Sequence, residues 1–400
     1  MAYGADEQLQ RQAAHTAARE MVSGAPDRVA RPEQRNRQKI RLGYLSSDFG
    51  EHPVGAQIAE LLELHDRSRF DVLGFSTRAG DGSPLRARLV AAFDKFLDLE
   101  ALSDASAAQR IADEKIDILI DLNGHTDGAR FGILARRPAP VQASWLGYAG
   151  TTGAGFIDYV IADAHVAPLS SRHAFSENII RLPGSYFVSD ATRAIGKTPA
   201  RAAEGLAEDA FVFCCFNANW KITAAQFDVW MRILAQTSGS VLWLRSPGEE
   251  AAARMEHAAR ARGVNPSRLF FAQKADLPTH LARHALADLF LDTLPFNAHS
   301  TACDALWAGL PVLTCRGKAF CGRVGVSLLN AAGLPQLIAD DLEAYVALAL
   351  ELAADPQKLT VLKTALREGR DRAALFNTDL FRQNIEAAFI AMNTARGGAP

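Results

Sequence analysis

The sequence predicts an α/β protein of two doubly wound, Rossmann-like lobes with a helical C-terminal tail, and three observations carry that expectation. Its 400 residues exceed the size at which a single hydrophobic core stops growing. Short apolar segments of strand length alternate with amphipathic helical segments, the pattern of a parallel sheet covered on both faces. The alternation then breaks in a Pro- and Ala-rich stretch, GKTPARAAEGLAED at 196–209, and starts again.

Residues 5–23 are rich in helix formers and predict a first helix. The following GAPDRVARPEQRNRQ, punctuated by Gly and Pro and ending in a basic run, predicts a linker. The strand KIRLGYLS leads into the helix VGAQIAELLELH, then the strand FDVLGFS and a helix around PLRARLVAAF. A third alternation ends in the apolar strand IDILIDL. Beyond the break come strand AFVFCCF, helix TAAQFDVWMRILAQT, strand SVLWLRS, a charged helix, and strands RLFFAQ and ADLFLD. From about residue 339 the chain reads as mostly helical, with apolar residues at helical spacing in LEAYVALALELAA and LFRQNIEAAFIAM. The expected division is a helix and linker at 1–38, an N-terminal lobe at 39–200, and a C-terminal lobe with the terminal helices at 201–400.

A net charge of −2, with 48% hydrophobic and 22% charged residues, gives no reason to expect a nucleic-acid partner. Five cysteines, an odd number without C-x-x-C pairs or zinc-site spacing, point to a reducing, cytoplasmic setting. No run of 18 apolar residues occurs, and the polar start lacks an apolar h-region, so no membrane partner is expected.

Ligands of open parallel sheets collect at the carboxyl ends of strands, so polar residues there are the candidates. In LSSDFGEHPVG at 45–55 these are Asp48 and His52; Pro53 suits the first turn of a helix and places His52 at its N-terminus. The segment alone fits equally a turn capped by Ser47 or Asp48 with His52 on the surface. DLNGHTDGAR places His125 between Gly124 and Gly128, which permit the backbone of a ligand loop. WLGYAGTTGAGFIDY carries Gly150, Thr151 and Thr152, whose N–H and hydroxyl groups suit a phosphate, a sugar or an ordinary loop. It lacks the G-x-G-x-x-G spacing of a dinucleotide site.

In the second half, Lys221 follows AFVFCCF in a loop that opens a helix, a position for an ammonium that neutralises a diphosphate leaving group. A lysine chosen at random would be a solvated surface residue. In LDTLPFNAHSTACDALWAGLPVL a strand ends and a helix begins near His299, Ser300 and Thr301. Free N–H groups beside two hydroxyls make an anion site there, and Asp304, one turn on, suits a ribose. The alternative is a plain helix cap with Asp304 favouring the dipole.

These segments, in this order, resemble the catalytic region of the O-linked N-acetylglucosamine transferases, the family that includes the plant SPINDLY-type proteins. The resemblance runs from Ile40 in IRLGYLSSDFGEHPVG through LNGHTDGARF, RPAPVQASWLGYAGTTGAGFIDYVIAD, CCFNANWKI and SVLWLR. It continues through LADLFLDTLPFNAHSTACDALWAGLPVLT to Glu386 in LFNTDLFRQNIE. It implies a GT-B type glycosyltransferase, inverting and metal-independent and without a cofactor. Such an enzyme moves N-acetylglucosamine or a related sugar from a UDP-sugar to a Ser or Thr hydroxyl of a protein. The acceptor is expected mostly on the N-terminal lobe and the nucleotide on the C-terminal lobe.

By the same resemblance the catalytic residues are His52, an active-site histidine that lines the sugar and acceptor site, and Lys221, which contacts the diphosphate. His299, Ser300 and Thr301 form the phosphate loop, Asp304 binds ribose, and His280 and Arg283 flank the uracil. Asp48, His125, Gly150, Thr151, Thr152 and Phe296 are expected around the sugar and acceptor. Three departures stand against it. At most one tetratricopeptide-like helix fits before Lys39, where the family usually carries a repeat array. Ala218 and Asn219 follow Phe216-Asn217 where a Gln is usual, which puts one diphosphate contact in question. Phe296 stands where animal members have a small residue at the N-acetyl pocket. The competing enzyme reading keeps the fold and takes a GDP-fucose or other donor, or a glycan or small-molecule acceptor. A third reading, a non-catalytic binding relative, predicts loss of the lysine and the phosphate loop, and both are present.

Overall fold

The computed structural model describes residues 6–22, 24, 26–31 and 38–397. Residues 32–37, with most of the linker's basic run, and the ends of the expected first helix at Ala5 and Ser23 lie outside the described residues. The chain divides into two compact units, Met1–Ala191 with Asn377–Pro400, and Thr192–Phe376.

The first unit begins with α1 (Glu7–Glu20), capped by the Asp6 carboxylate, which accepts from the Gln8 and Leu9 N–H groups at 2.8 and 2.9 Å. It continues with β1 (Ile40–Ser46), α2 (Pro53–Leu64), β2 (Phe70–Ser76), α3 (Pro84–Ala92), β3 (Lys95–Asp98) and α4 (Asp104–Asp113). Then come β4 (Ile118–Asp121), α5 (Phe131–Ala135), β5 (Val141–Ser144), β6 (Tyr159–Asp163) and β7 (Asn178–Leu182). The seven strands pair in parallel in the order β3-β2-β1-β4-β5-β6-β7. All of β4 and the last five residues of β1 are buried, as expected of strands without alternation and covered on both faces. The strand order reverses between β1 and β4, where Leu45 lies opposite Asp121. Helix α1 buries Ala14 and Ala18, and Gly153 lets it approach. A Cβ at Gly153 would lie 2.3 Å from the His15 nitrogen, on a backbone with φ +67°.

The second unit repeats the plan with β8 (Phe211–Cys215), α6 (Ala224–Gln236), β9 (Ser240–Arg245), α7 (Glu249–Ala261), β10 (Leu269–Ala272), α8 (Leu277–Arg283) and β11 (Leu289–Leu291). It closes with α9 (Ser300–Trp307), β12 (Val312–Cys315), α10 (Val324–Ala331), β13 (Ile338–Ala339), α11 (Leu342–Ala354) and α12 (Pro356–Gly369). Its six strands, again all parallel, run β10-β9-β8-β11-β12-β13, and the order reverses between β8 and β11. All five cysteines belong to this unit, buried and unbridged.

The last helix, α13 (Thr378–Gly397), belongs to the first unit, whereas the sequence leaves it with the second. Its apolar side finds its partners there: Phe381 stacks on Trp145 at 5.7 Å, and Phe389 packs beside His65 at 6.4 Å. Inside the first unit Thr378 donates to the Ser189 carbonyl at 2.9 Å. The boundary falls at 191/192, ahead of the Pro- and Ala-rich stretch, because that stretch packs as part of the second unit. Arg201, for example, donates to the Ala210 carbonyl at 2.7 Å. Among the described residues no helix is long and apolar enough to cross a membrane.

Candidate active site

In each unit a group of the polar candidates, Asp48, His52 and His125 in the first and Lys221 and His299 in the second, follows the carboxyl ends of the two strands that flank the reversal, where open α/β sheets bind ligands. In the first unit Asn123, just past β4, ties the two strand ends together. Its Oδ1 accepts from the Ser47 N–H at 3.0 Å, and its Nδ2 donates to Ser47 Oγ at 2.8 Å and Asp48 Oδ2 at 3.0 Å. Asp48 is buried and also accepts from Ser47 Oγ at 2.8 Å. His52 caps α2 itself: its Nδ1 accepts from the Val54 N–H at 3.3 Å and lies 3.6 Å from Asp48 Oδ2. The capping group is therefore His52, not Ser47 or Asp48. His52 is exposed at the surface, as the alternative reading had it; desolvation nonetheless lowers its pKa below the ordinary value, against the pull of Asp48, so the imidazole is a neutral base near pH 7.

His125 and the glycine-rich loop are more inward-looking than the sequence suggests. The His125 Nε2 pairs with the Thr152 carbonyl at 2.6 Å, and its ring packs against Phe131 and Tyr148 at 4.9 and 5.2 Å. Its Nδ1 is buried without a partner, and burial lowers its pKa. The hydroxyls of Thr151 and Thr152 are not offered to a ligand. Buried Glu177 takes the Thr151 hydroxyl at 2.6 Å, the Thr152 N–H at 2.6 Å and the Thr152 hydroxyl. The Gly150 N–H donates to Tyr148 within the loop at 3.1 Å. A carboxylate far along the chain consumes these groups, and the loop pattern alone carries no sign of it.

In the second unit Asp292, one residue past β11, shapes the loop before α9. It accepts from the Thr293 and Ala298 N–H groups at 2.7 and 2.5 Å and from the Thr314 hydroxyl at 2.6 Å. Burial pushes its pKa up to about 6. Lys221, in a 3-10 turn after β8, donates to the Asn297 carbonyl of that loop at 2.9 Å and lies 4.4 Å from the centre of the Phe296 ring. Burial lowers its pKa to about 8, with Asp292 acting in the other direction. His299 stacks on Phe296 at 4.7 Å and pairs with the Cys321 carbonyl at 3.2 Å; burial holds it neutral. Ser300 and Thr301 open α9, whose first N–H groups have no acceptor within the helix. Thr301 donates to Asn217 Oδ1, and Asn217 Nδ2 donates to Thr293 Oγ1 at 2.9 Å.

Thr301 also lines a cavity of about 180 Å³ with Phe216, Arg245, Gln273, His280 and Arg283. Burial drives the His280 pKa down to about 2, so this imidazole is neutral throughout the physiological range; it meets Phe216 and His284 edge to face at 5.4 and 4.8 Å. Arg283 donates to the Gln273 carbonyl at 2.8 Å, while its buried Nε has no acceptor. Asp304 is not on the cavity wall. It forms a buried ion pair with Arg193, a residue to which the sequence gives no prominence. Asn123, Asn217, Glu177, Asp292 and Arg193 are thus site residues that sequence reasoning missed. The one available signal was position, since Asn123, Asn217 and Asp292 lie within two residues of the strand ends already singled out.

The model of glycosyl transferase family 41 matches residues 18–201 and 197–385. The chain belongs to glycosyl transferase family 41. Among family relatives, the probable UDP-N-acetylglucosamine–peptide N-acetylglucosaminyltransferase SEC of Arabidopsis thaliana is 38% identical over 362 residues, covering 89% of this chain and 37% of that protein. The probable SPINDLY enzyme of Petunia hybrida is 32% identical over 367 residues, covering 89% and 39%. This family 41 chain therefore spans about two fifths of the length of the curated relatives it matches. Among solved structures, a variant of the Thermobaculum terrenum O-GlcNAc transferase superposes with a TM-score of 0.90 at 30% identity, covering 98% of this chain and 75% of that one. Anabaena HepE, solved with UDP and glucose, shares the fold alone, at a TM-score of 0.59 and 15% identity. The fold class is GT-B.

Proposed function

We propose that this family 41 chain transfers N-acetylglucosamine or a close relative from a UDP-sugar to a Ser or Thr hydroxyl of a protein, by direct inverting displacement. The observation that carries this reading is the cavity of the second unit. A neutral imidazole, a phenyl ring and a guanidinium with an unpartnered buried Nε suit a flat base that bears carbonyl acceptors. Thr301 belongs both to that cavity and to the first turn of α9, so base and phosphates have adjoining places. The names of the plant and nematode relatives, which describe UDP-N-acetylglucosamine–peptide transfer, support the same donor and acceptor.

In this reading His280 and Arg283 hold the base, and Lys221 with the first N–H groups of α9 receives the diphosphate. As the anomeric bond breaks, charge grows on the departing phosphate, and a preorganised, partly buried ammonium stabilises that charge more than a solvated one. The chain's own cation takes the place of a divalent metal, and no cofactor takes part. His52, backed by Asp48, lines the sugar and acceptor side, with His125 and the Gly150–Thr152 loop as its inward-facing support. Phe296, stacked on His299 beneath Lys221, borders the sugar and sets which sugars fit. Titrating the purified protein with UDP, GDP and their sugars tests the donor. Uridine is expected to bind more tightly, and His280→Ala is expected to remove the preference. A guanosine preference would replace this reading with the GDP-sugar alternative.

A further inference from the structure

Asp304 is placed as a site residue by its spacing, yet its carboxylate already faces a cation. It sits three residues after Thr301 on α9, and residues at that spacing share a helix face. Arg193 Nη1 donates to Asp304 Oδ1, and both side chains are almost entirely buried, at 4% and 12% exposure. Arg193 is itself held from the next turn of the same helix. Trp307 Nε1 donates to the Arg193 carbonyl at 3.2 Å, and the guanidinium lies 5.6 Å from the centre of the indole. A buried ion pair brings little net stability, since desolvation offsets its attraction, whereas removing one partner strands the other. Asp304 does not line the cavity, but the first turn of its helix does so through Thr301, which puts the pair one turn from the ligand site, and none of the steps above employs Arg193.

We propose that Arg193 is the positioning residue of the nucleoside site, holding the Asp304 carboxylate charged and oriented so that it reads the ribose hydroxyls of the donor. The inference rests on the reading of Asp304 as the ribose acceptor. An ionised carboxylate accepts from a hydroxyl pair far better than a neutral carboxyl, which must spend one oxygen as a donor. Arg193 is the charged group that faces Asp304; Cys303 lies beside them on α9, 4.0 Å from Arg193 Nη2, and Arg370 rests against the same indole at 4.8 Å. Burial raises the Asp304 pKa, and Arg193 opposes that rise. Without the guanidinium, burial acts on Asp304 unopposed, and the charged form is held less firmly.

The test compares binding of UDP and 2′,3′-dideoxy-UDP to the full chain by calorimetry at several pH values. The wild type is expected to favour UDP by about tenfold or more, the size of a charge-assisted hydrogen bond. In Arg193→Gln the ratio is expected to fall below about threefold, and to fall furthest at the lowest pH measured, where unopposed burial favours the neutral carboxyl. Arg193→Lys keeps the charge and should keep most of the ratio at every pH. Should Arg193→Gln not fold, Arg193→Met, which retains the packing on Trp307 without the charge, takes its place. A wild-type ratio at every pH in the uncharged variants, alongside its collapse in Asp304→Asn, would overturn the role of Arg193. A wild-type ratio in Asp304→Asn would instead overturn the ribose reading beneath it.

Discussion

The charge on Lys221 is costly to hold, and that cost makes it a sensitive probe of the chemistry proposed for it. Burial lowers its pKa to about 8, so in the free protein the ammonium is present below that value and lost above it. A bound diphosphate favours the charged form and moves the same titration upward. The alkaline limb of kcat/KM is therefore expected near pH 8, with the limb of kcat at higher pH; superimposable limbs would show that diphosphate does not meet this lysine. Lys221→Ala is expected to lower turnover by about two orders of magnitude or more, measured by release of UDP from the sugar donor. Near-normal turnover would end the assignment. Lys221, His299 and Thr301 were legible because strand ends and helix starts can be read from a single sequence. His280 and Arg283 came only with the family resemblance. Asn217, which takes the Thr301 hydroxyl, and Asp292, which shapes the loop before α9, showed only their position, since a polar side chain near a strand end has many possible partners and only the folded chain selects one.

At the scale of loops and helices, the glycine-rich loop around Thr151 is held by Glu177 on one side and covered by α1 on the other. Glu177 accepts from two hydroxyls and an N–H, so Glu177→Ala leaves buried donors without partners. A loss of about 2–4 kcal/mol in urea unfolding is expected, and Glu177→Gln should lose less because it keeps an acceptor. Gly153→Ala brings a methyl into the α1 backbone at a left-handed residue, and faster proteolysis within residues 7–20 is the expected sign that the helix has been displaced. A protease pattern like the wild type's would show that α1 accommodates the change. The longer strands β1, β2, β8 and β9 were readable from their apolar runs. By contrast β3, KFLD, and β13, of two residues, stand in no continuous apolar run, and tertiary pairing alone makes them strands.

Across the whole molecule, α13 is joined to the first unit by a buried polar chain. Tyr44 Oη pairs with His65 Nε2 at 2.8 Å, and Glu386 Oε1 faces His65 Nδ1 and accepts from the Asp66 N–H, both at 2.9 Å. Burial lowers the His65 pKa. Burial works against ionisation of Glu386 as well, but its bonds to His65 and Asp66 and its pairing with Arg382 outweigh that and hold its pKa low. Both shifts mean that the unfolded chain binds more protons as the medium is acidified. Stability is then lost as pH falls below the ordinary histidine value of 6.5, and further below the ordinary glutamate value of 4.5. A first-unit melting temperature that falls from pH 7 to pH 5, with a shallower fall in His65→Phe, is expected from calorimetry; equal slopes would place the acid sensitivity elsewhere. The two-lobed plan was legible in the restarted strand-helix pattern. The return of α13 was not, because an amphipathic helix announces that it must dock without saying where.

That return bears on the order in which the molecule can be made. The second unit is one uninterrupted stretch, whereas the first is split by all of it. On a ribosome the first unit begins to emerge earlier but is finished later, since the helix that covers Trp145 and supplies Glu386 is translated only after residue 376. Nascent chains stopped just past that residue are the species from which chaperone dependence in this protein is expected to arise.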